Sequence, residues 1–152
     1  MAAKLISFIL FALFITGVSP AQVSVDSAGA IPTGYKSLNG LWYLQPVLES
    51  DTSSGHIPEI SFDIKSGRFA GNTGCNSMSG SFLATDTSLH FGGNMITTRM
   101  ACIGYNEPAF IKNLLRINSY KFENGVLILT VNNEEVFRWA RKKPVPKKTG
   151  KA

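Results

Sequence analysis

Cys75 and Cys102 are the only two cysteines of the chain, so their number limits the chemistry open to them. An even number of thiols outside the cytosol favours a disulfide. A bond between them would close a 28-residue segment and stabilise the fold by about 3 to 4 kcal/mol in the chain-entropy model. Two other roles stay open: a zinc site, for which only His56 and His90 could join the cysteines, and a redox pair, although the Cys-x-x-Cys spacing is absent.

The other reactive side chains form no pattern typical of an enzyme. His56 follows a polar loop at 53–55, and His90 lies on the solvent side of a predicted strand. The ten acidic residues are scattered, without the pairing of a glycosidase. The glycine-containing loop at 71–74 lacks the lysine of a phosphate-binding loop. We therefore expect a protein that is not an enzyme and that holds no metal or cofactor.

The first 21 residues have the layout of a secretory signal peptide, with a basic start, an apolar run and small residues before Gln22. An uncleaved anchor is the alternative, although the apolar run of 14 residues is shorter than the roughly 20 that a bilayer span needs. No cysteine precedes Cys75, so we expect no lipid-modified cysteine near the start. The predicted location is the periplasm or the exterior, without a lipid anchor.

Charge is unevenly distributed along the chain. Seven Lys or Arg residues lie in the last 15 positions, whereas the segment 22–137 holds seven basic and ten acidic residues. The pattern predicts a signal peptide at 1–21, a flexible leader at 22–37, a folded domain at 38–140 and a disordered basic tail at 141–152. The tail could contact anionic surfaces weakly, but nucleic-acid binding is not expected because no aromatic residues interleave its lysines. We expect a monomer.

The folded domain is predicted to be α+β: a curved, mostly antiparallel, barrel-like sheet of about seven short strands, with one helix packed on it. Ile60, Phe62 and Ile64 alternate with polar residues, as in a half-buried strand. Asn106 followed by Glu107-Pro108 predicts a helix start. The apolar stripe of that helix consists of Phe110, Ile111, Leu114, Leu115 and Ile117. The Asn124-Gly125 and Asn132-Asn133 steps suit tight hairpins.

Two further stretches are unusual: G-N-T-G-C-N-S-M-S-G-S-F at 71–82 and T-T-R-M-A-C at 97–102. The glycines permit positive φ or close backbone approach, and the asparagines can bond their own turns. The Arg99 guanidinium, near the cysteines, could hold loop carbonyls or present a charge to a ligand. The predicted structural or binding loop consists of Asn72, Gly74, Asn76, Arg99 and Met100.

These stretches resemble the META domain, the HslJ-like heat-shock family of exported or envelope-associated proteins. The resemblance runs from Leu38 to Trp139 and covers L-N-G-x-W, G-C-N-x-x-x-G-x-F, T-T-R-M-A-C, the helix and the last strand. It implies an α+β fold, a Cys75–Cys102 disulfide and no established enzymatic activity. It also implies a role in heat shock, novobiocin resistance or motility. Many bacterial members are lipoproteins, a property from which this chain departs.

The function expected from the resemblance is a non-enzymatic, exported protein of envelope stress response or maintenance, whose partner is an unidentified envelope protein. The alternative is a binding or carrier protein for a small hydrophobic ligand or peptide. The side chains that could line its apolar mouth would otherwise fill the core. They are Trp42, Phe62, Phe69, Phe82, Met95 and Met100.

Overall fold

The computed structural model of the protein describes residues 34–45 and 56–144. The predicted signal peptide, the leader before Gly34, the polar loop at 53–55 and the tail beyond Pro144 lie outside these residues. In the described ranges, no helix is both long enough and apolar enough to cross a membrane.

The described residues form one 3₁₀ turn, nine strands and one α-helix. In chain order they are the 3₁₀ turn Tyr35–Leu38, β1 Gly40–Gln45, β2 Glu59–Asp63, β3 Arg68–Asn72, β4 Ser77–Ala84, β5 Leu89–Phe91, β6 Ile96–Thr97, α1 Glu107–Arg116, β7 Ser119–Glu123, β8 Val126–Val131 and β9 Glu134–Ala140. Leu38, the first residue of the predicted folded domain, is the last residue of the 3₁₀ turn.

One curved sheet contains all nine strands, in the order β5-β4-β3-β2-β1-β9-β8-β7, with β6 beside β4. All pairings are antiparallel. The sheet is not closed, because its edge strands β5 and β7 meet only at the bridge between Ser88 and Ser119. The predicted α+β class and curved antiparallel sheet are confirmed. The strand number exceeds the expected seven or so, in part because β6 is too short to leave a pattern in the sequence.

The buried residues of the strands form one core cluster with residues of the helix. Side chains of successive strand residues point to opposite faces, and Trp42, Leu44, Ile60 and Phe62 are buried as their alternation predicts. The Trp42 indole nitrogen donates to the Leu38 carbonyl at 2.7 Å, which satisfies its only donor. The first turn and the first strand are thereby joined within the core.

Helix α1 packs against the core and begins where the sequence predicts. The Asn106 side chain accepts a hydrogen bond from the amide of Ala109, and Pro108 lies in the first turn, where no amide partner is needed. Phe110 and Leu114 are buried. The prediction is wrong for Leu115, which is 37% exposed because it lies on the side of the helix turned away from the sheet.

The two hairpins that connect β7, β8 and β9 use the predicted asparagine steps. Asn124 and Gly125 have φ values of 51° and 78°, and Asn132 and Asn133 have values of 52° and 69°. Positive φ at both central residues matches the right-handed twist of the strands. Tight antiparallel pairing of β7–β9 follows from these turns.

Arg141, predicted as the first residue of the tail, lies on the folded domain. Its guanidinium carbon is 3.7 Å from the centre of the Trp42 ring. The guanidinium also donates to the carbonyls of Leu41, Ser37 and Asn39 at 3.0, 2.9 and 2.7 Å. The cation thus joins the end of β9 to the carbonyls around the start of β1.

Candidate functional site

The loop between β3 and β4 is a tight turn built from its own polar side chains. The Asn72 side chain accepts from the amide of Gly74 at 2.7 Å, and the Thr73 hydroxyl accepts from the amide of Asn76 at 3.0 Å. Gly74 has a φ of 101°, a conformation that side chains disfavour. Hydrogen bonds between residues close in sequence therefore shape this loop.

Asn76 connects this loop to the segment that follows β6. The side chain is 1% exposed, and its oxygen accepts from the amide of Met100 at 2.7 Å and from the hydroxyl of Thr98 at 2.8 Å. Its nitrogen donates to the Met100 carbonyl at 3.2 Å and to Glu107 at 2.7 Å. These four bonds use the full capacity of a carboxamide.

Glu107 brings helix α1 into the same cluster. One carboxylate oxygen accepts from Asn76 and the other from the buried hydroxyl of Thr73. The Tyr105 hydroxyl donates to the Thr73 carbonyl. A carboxylate in the first turn also interacts favourably with the helix dipole. The start of α1 is thus fixed to the β3–β4 loop by charge-assisted hydrogen bonds.

A disulfide between Cys75 and Cys102 closes the cluster, as predicted. The two Cα atoms are 6.1 Å apart, a usual separation for this bond. We call this set of residues the clasp: Asn72, Thr73, Cys75, Asn76, Thr98, Cys102, Tyr105 and Glu107. It holds together the β3–β4 loop, the segment after β6 and the start of α1.

The structure brings together most of the predicted loop, but not all of it. Asn72, Gly74, Asn76 and the backbone of Met100 meet in the clasp. Arg99 is not part of the clasp. Its side chain is exposed and has no hydrogen bond or ion pair to another described residue. The prediction missed Thr73, Thr98, Tyr105 and the inward role of Glu107. The sequence did contain signals for them, since Thr73 and Thr98 lie within the two unusual stretches and Glu107 is an acid at a helix start.

The remaining candidates for chemistry lie apart from the clasp. His56 and His90 are exposed, and the described residues contain no group of three His, Cys, Asp or Glu side chains placed to hold a metal. Most of the side chains that could have lined an apolar mouth fill the core instead. Trp42, Phe62, Phe69 and Phe82 are buried in the core and Met95 is partly buried against it, whereas Met100 is 62% exposed.

Large aliphatic side chains cover the outer side of the segment that the clasp fixes. Besides Met100, Ile96 is 68% exposed and Ile103 is 96% exposed. We call these three residues the apolar rim. These exposed side chains forgo the free energy that burial of their apolar surface would provide.

An open pocket of about 440 Å³ lies where β5 and β7 approach each other. Its lining consists of Thr87, Ser88, Ser119, Tyr120, Lys121, Thr130 and Asn133. The Tyr120 hydroxyl donates to the Thr85 carbonyl at 2.8 Å. Burial, helped by the nearby charge of Asp86, raises the pKa of Tyr120 to about 12. The phenol therefore stays neutral and acts as a hydrogen-bond donor at ordinary pH.

Comparisons with known proteins returned a family model and solved structures. The family model of the META domain matches residues 36–144. The NMR structure of the protein from Burkholderia xenovorans has a TM-score of 0.55 at 21% identity, over 83% of this chain and 100% of that chain. The crystal structure of a DUF4847 family protein from Bacteroides vulgatus ATCC 8482 has a TM-score of 0.48 at 21% identity, over 58% of this chain and 61% of that chain. No curated protein matches.

Proposed function

The chain belongs to the META domain family, and from that premise we propose that it is an exported, non-enzymatic protein of envelope stress response or maintenance. It acts by contact with other components of the envelope. The family's signature residues serve to hold a surface segment in a fixed shape, which suits a protein that works through contact.

The observation that carries this proposal is the way the clasp uses its polar groups. The Asn76 amide makes four hydrogen bonds to oxygen and nitrogen groups and one to the Cys75 sulfur, and both oxygens of Glu107 accept from side chains of the same cluster. A general base or nucleophile must instead have a free lone pair within reach of a substrate. The most distinctive residues of the sequence are therefore engaged with one another.

A test in cells addresses the stress role. Deletion of the gene in the native organism is expected to increase sensitivity to heat or to an envelope antibiotic, and the wild-type gene should restore growth. A variant with His56→Gln and His90→Gln, which removes both histidines of the chain, should restore growth equally well. Failure of that variant, at normal protein levels, would contradict the non-enzymatic role. A deletion strain indistinguishable from wild type under all stresses would contradict the stress role.

Intact mass addresses export and the cysteines together. Protein recovered from the native host should begin at Gln22 and should take up a thiol-alkylating reagent only after reduction. A mass that includes Met1, with two alkylated cysteines before reduction, would contradict both predictions at once.

A further inference from the structure

The apolar rim does not result from a loose loop that could fold its side chains inward. The amide of Thr98 donates to the Ser77 carbonyl at 3.1 Å, the amide and carbonyl of Met100 bond to Asn76, and Cys102 is covalently tied to Cys75. The inner side of the segment is occupied by these polar contacts. Its aliphatic side chains therefore point outward in a fixed arrangement.

The helix that follows in the chain carries basic residues on its exposed side. Its exposed side contains Pro108, Lys112, Leu115 and Arg116, which recur at helical spacing. Arg99 is exposed between Ile96 and Met100 in the chain. No ion pair of these three cations occurs among the described residues.

Acidic groups are absent from the exposed side of this segment. Between positions 96 and 116 the only acid is Glu107, whose two oxygens accept hydrogen bonds inside the clasp. The stretch therefore carries three cations, Arg99, Lys112 and Arg116, that have no acidic partner among the described residues.

We propose that the apolar rim and the basic side of α1 form a binding surface for an anionic lipid bilayer, a partner choice that rests on the proposed envelope role. Aliphatic side chains flanked by Lys and Arg match the boundary between headgroups and acyl chains, where both kinds of group find favourable surroundings. Anionic headgroups attract the cations at short range. Met100 and Ile103 enter the interfacial region, and Arg99, Lys112 and Arg116 contact lipid phosphates.

The experiment is vesicle cosedimentation with the full protein purified from its native host. Vesicles of phosphatidylcholine alone are compared with vesicles that also contain phosphatidylglycerol. We expect binding only to the anionic vesicles. The double variant Met100→Ser/Ile103→Ser should bind at least about tenfold more weakly, because two interfacial aliphatic groups are lost. The variant Leu83→Ser is the matched control, since Leu83 is 79% exposed on β4 and should bind like wild type.

Two further variants separate the surface from the tail. Arg99→Gln/Lys112→Gln/Arg116→Gln should weaken binding to anionic vesicles and reduce its dependence on salt. Lys147→Gln/Lys148→Gln/Lys151→Gln should retain most of the binding. Urea unfolding of every variant checks that the fold is unchanged, which is expected because all substituted side chains in the described residues are exposed.

Two outcomes would overturn the proposal of a lipid-binding surface. One is that the wild-type protein does not bind anionic vesicles. The other is that the tail variant with the three lysine substitutions loses binding while the Met100→Ser/Ile103→Ser variant keeps it. Neither would affect the proposed envelope role, since contact with an envelope protein would remain possible. That role depends on the growth of the deletion strain. The two proposals therefore fail in separate measurements.

Discussion

The clasp and the β7–β9 hairpins distribute polar and apolar groups in opposite ways. In the hairpins, Leu127 and Leu129 are fully buried and the turn asparagines lie outside. In the clasp, Thr73 and Asn76 are buried while the aliphatic side chains of the rim lie outside. Side chains on both faces of β8 are buried, since Leu127, Ile128 and Leu129 are buried in succession. In the clasp, hydrogen bonds to the Asn76 amide keep polar groups inside.

The two regions also differ in how completely their polar atoms are paired. The buried amide and hydroxyl groups of the clasp all have partners. In the part of the chain that the structure describes, the buried side-chain polar atom without a partner is the indole nitrogen of Trp139 in β9. The stability of the clasp therefore depends on its hydrogen bonds, because a buried polar group that loses its partner costs more free energy than the bond itself contributed.

The largest expected effect is that of Asn76→Ala. Removal of the amide leaves Glu107 and the backbone of Met100 without their buried partner, so the free energy of unfolding should fall by about 3 to 4 kcal/mol. Urea unfolding measures this change. The control is Asn72→Ala, which removes one bond to Gly74 and should cost about 1 kcal/mol. Equal effects of the two substitutions would show that burial of the amide network is unimportant.

Loss of the disulfide should have the next largest effect. The variant Cys75→Ala/Cys102→Ala should lower the free energy of unfolding by about 3 kcal/mol, because the unfolded chain gains conformational freedom. Native-state hydrogen exchange should accelerate at Thr98 and Met100, whose amides bond across the clasp. The exchange rates of those β8 amides that exchange by local opening should not change. Equal local acceleration in both regions would mean that they open as one unit.

The smallest expected effect concerns Tyr120 in the hairpin region. Its pKa is raised to about 12, whereas an unfolded phenol titrates near 10. The unfolded state therefore loses its proton first, and the stability of the native state falls as pH rises between these values. Tyr120→Phe removes the bond to the Thr85 carbonyl and should cost about 1 kcal/mol at neutral pH.

The measurement is urea unfolding of both proteins at pH 8 and pH 11. The stability difference between wild type and Tyr120→Phe should shrink at the higher pH, because only the wild type carries this titration. A constant difference would contradict the raised pKa.

Local patterns are enough to predict the strands and the helix whose conformation depends on residues adjacent in sequence. The alternation of Ile60 and Phe62 predicted β2, and Asn106 with Pro108 predicted the start of α1. The strand β6 gave no pattern, because its two residues are extended only through pairing with Met78 and Ser79.

The clasp could be predicted only in part for a similar reason. The motif around Cys75 indicated a special loop, but Thr73 and Glu107 meet across 34 positions of sequence, and no local rule connects them. Composition also suggested that the tail begins at Arg141. The carbonyls that bind its guanidinium become available only when the turn before β1 has formed.

The pairing of β1 with β9 affects how the chain must fold. Tyr43 lies opposite Ala140, and Arg141 bonds to Leu41 across 100 positions of sequence. Contacts this distant along the chain slow folding, because a large loop must close before they contribute. During synthesis, one edge of β1 stays unpaired until β9 has left the ribosome. The Trp42 ring lacks its contact with the Arg141 guanidinium for the same time. A stop codon shortly before Glu134 would therefore remove a strand from the middle of the sheet, although it truncates only the end of the chain.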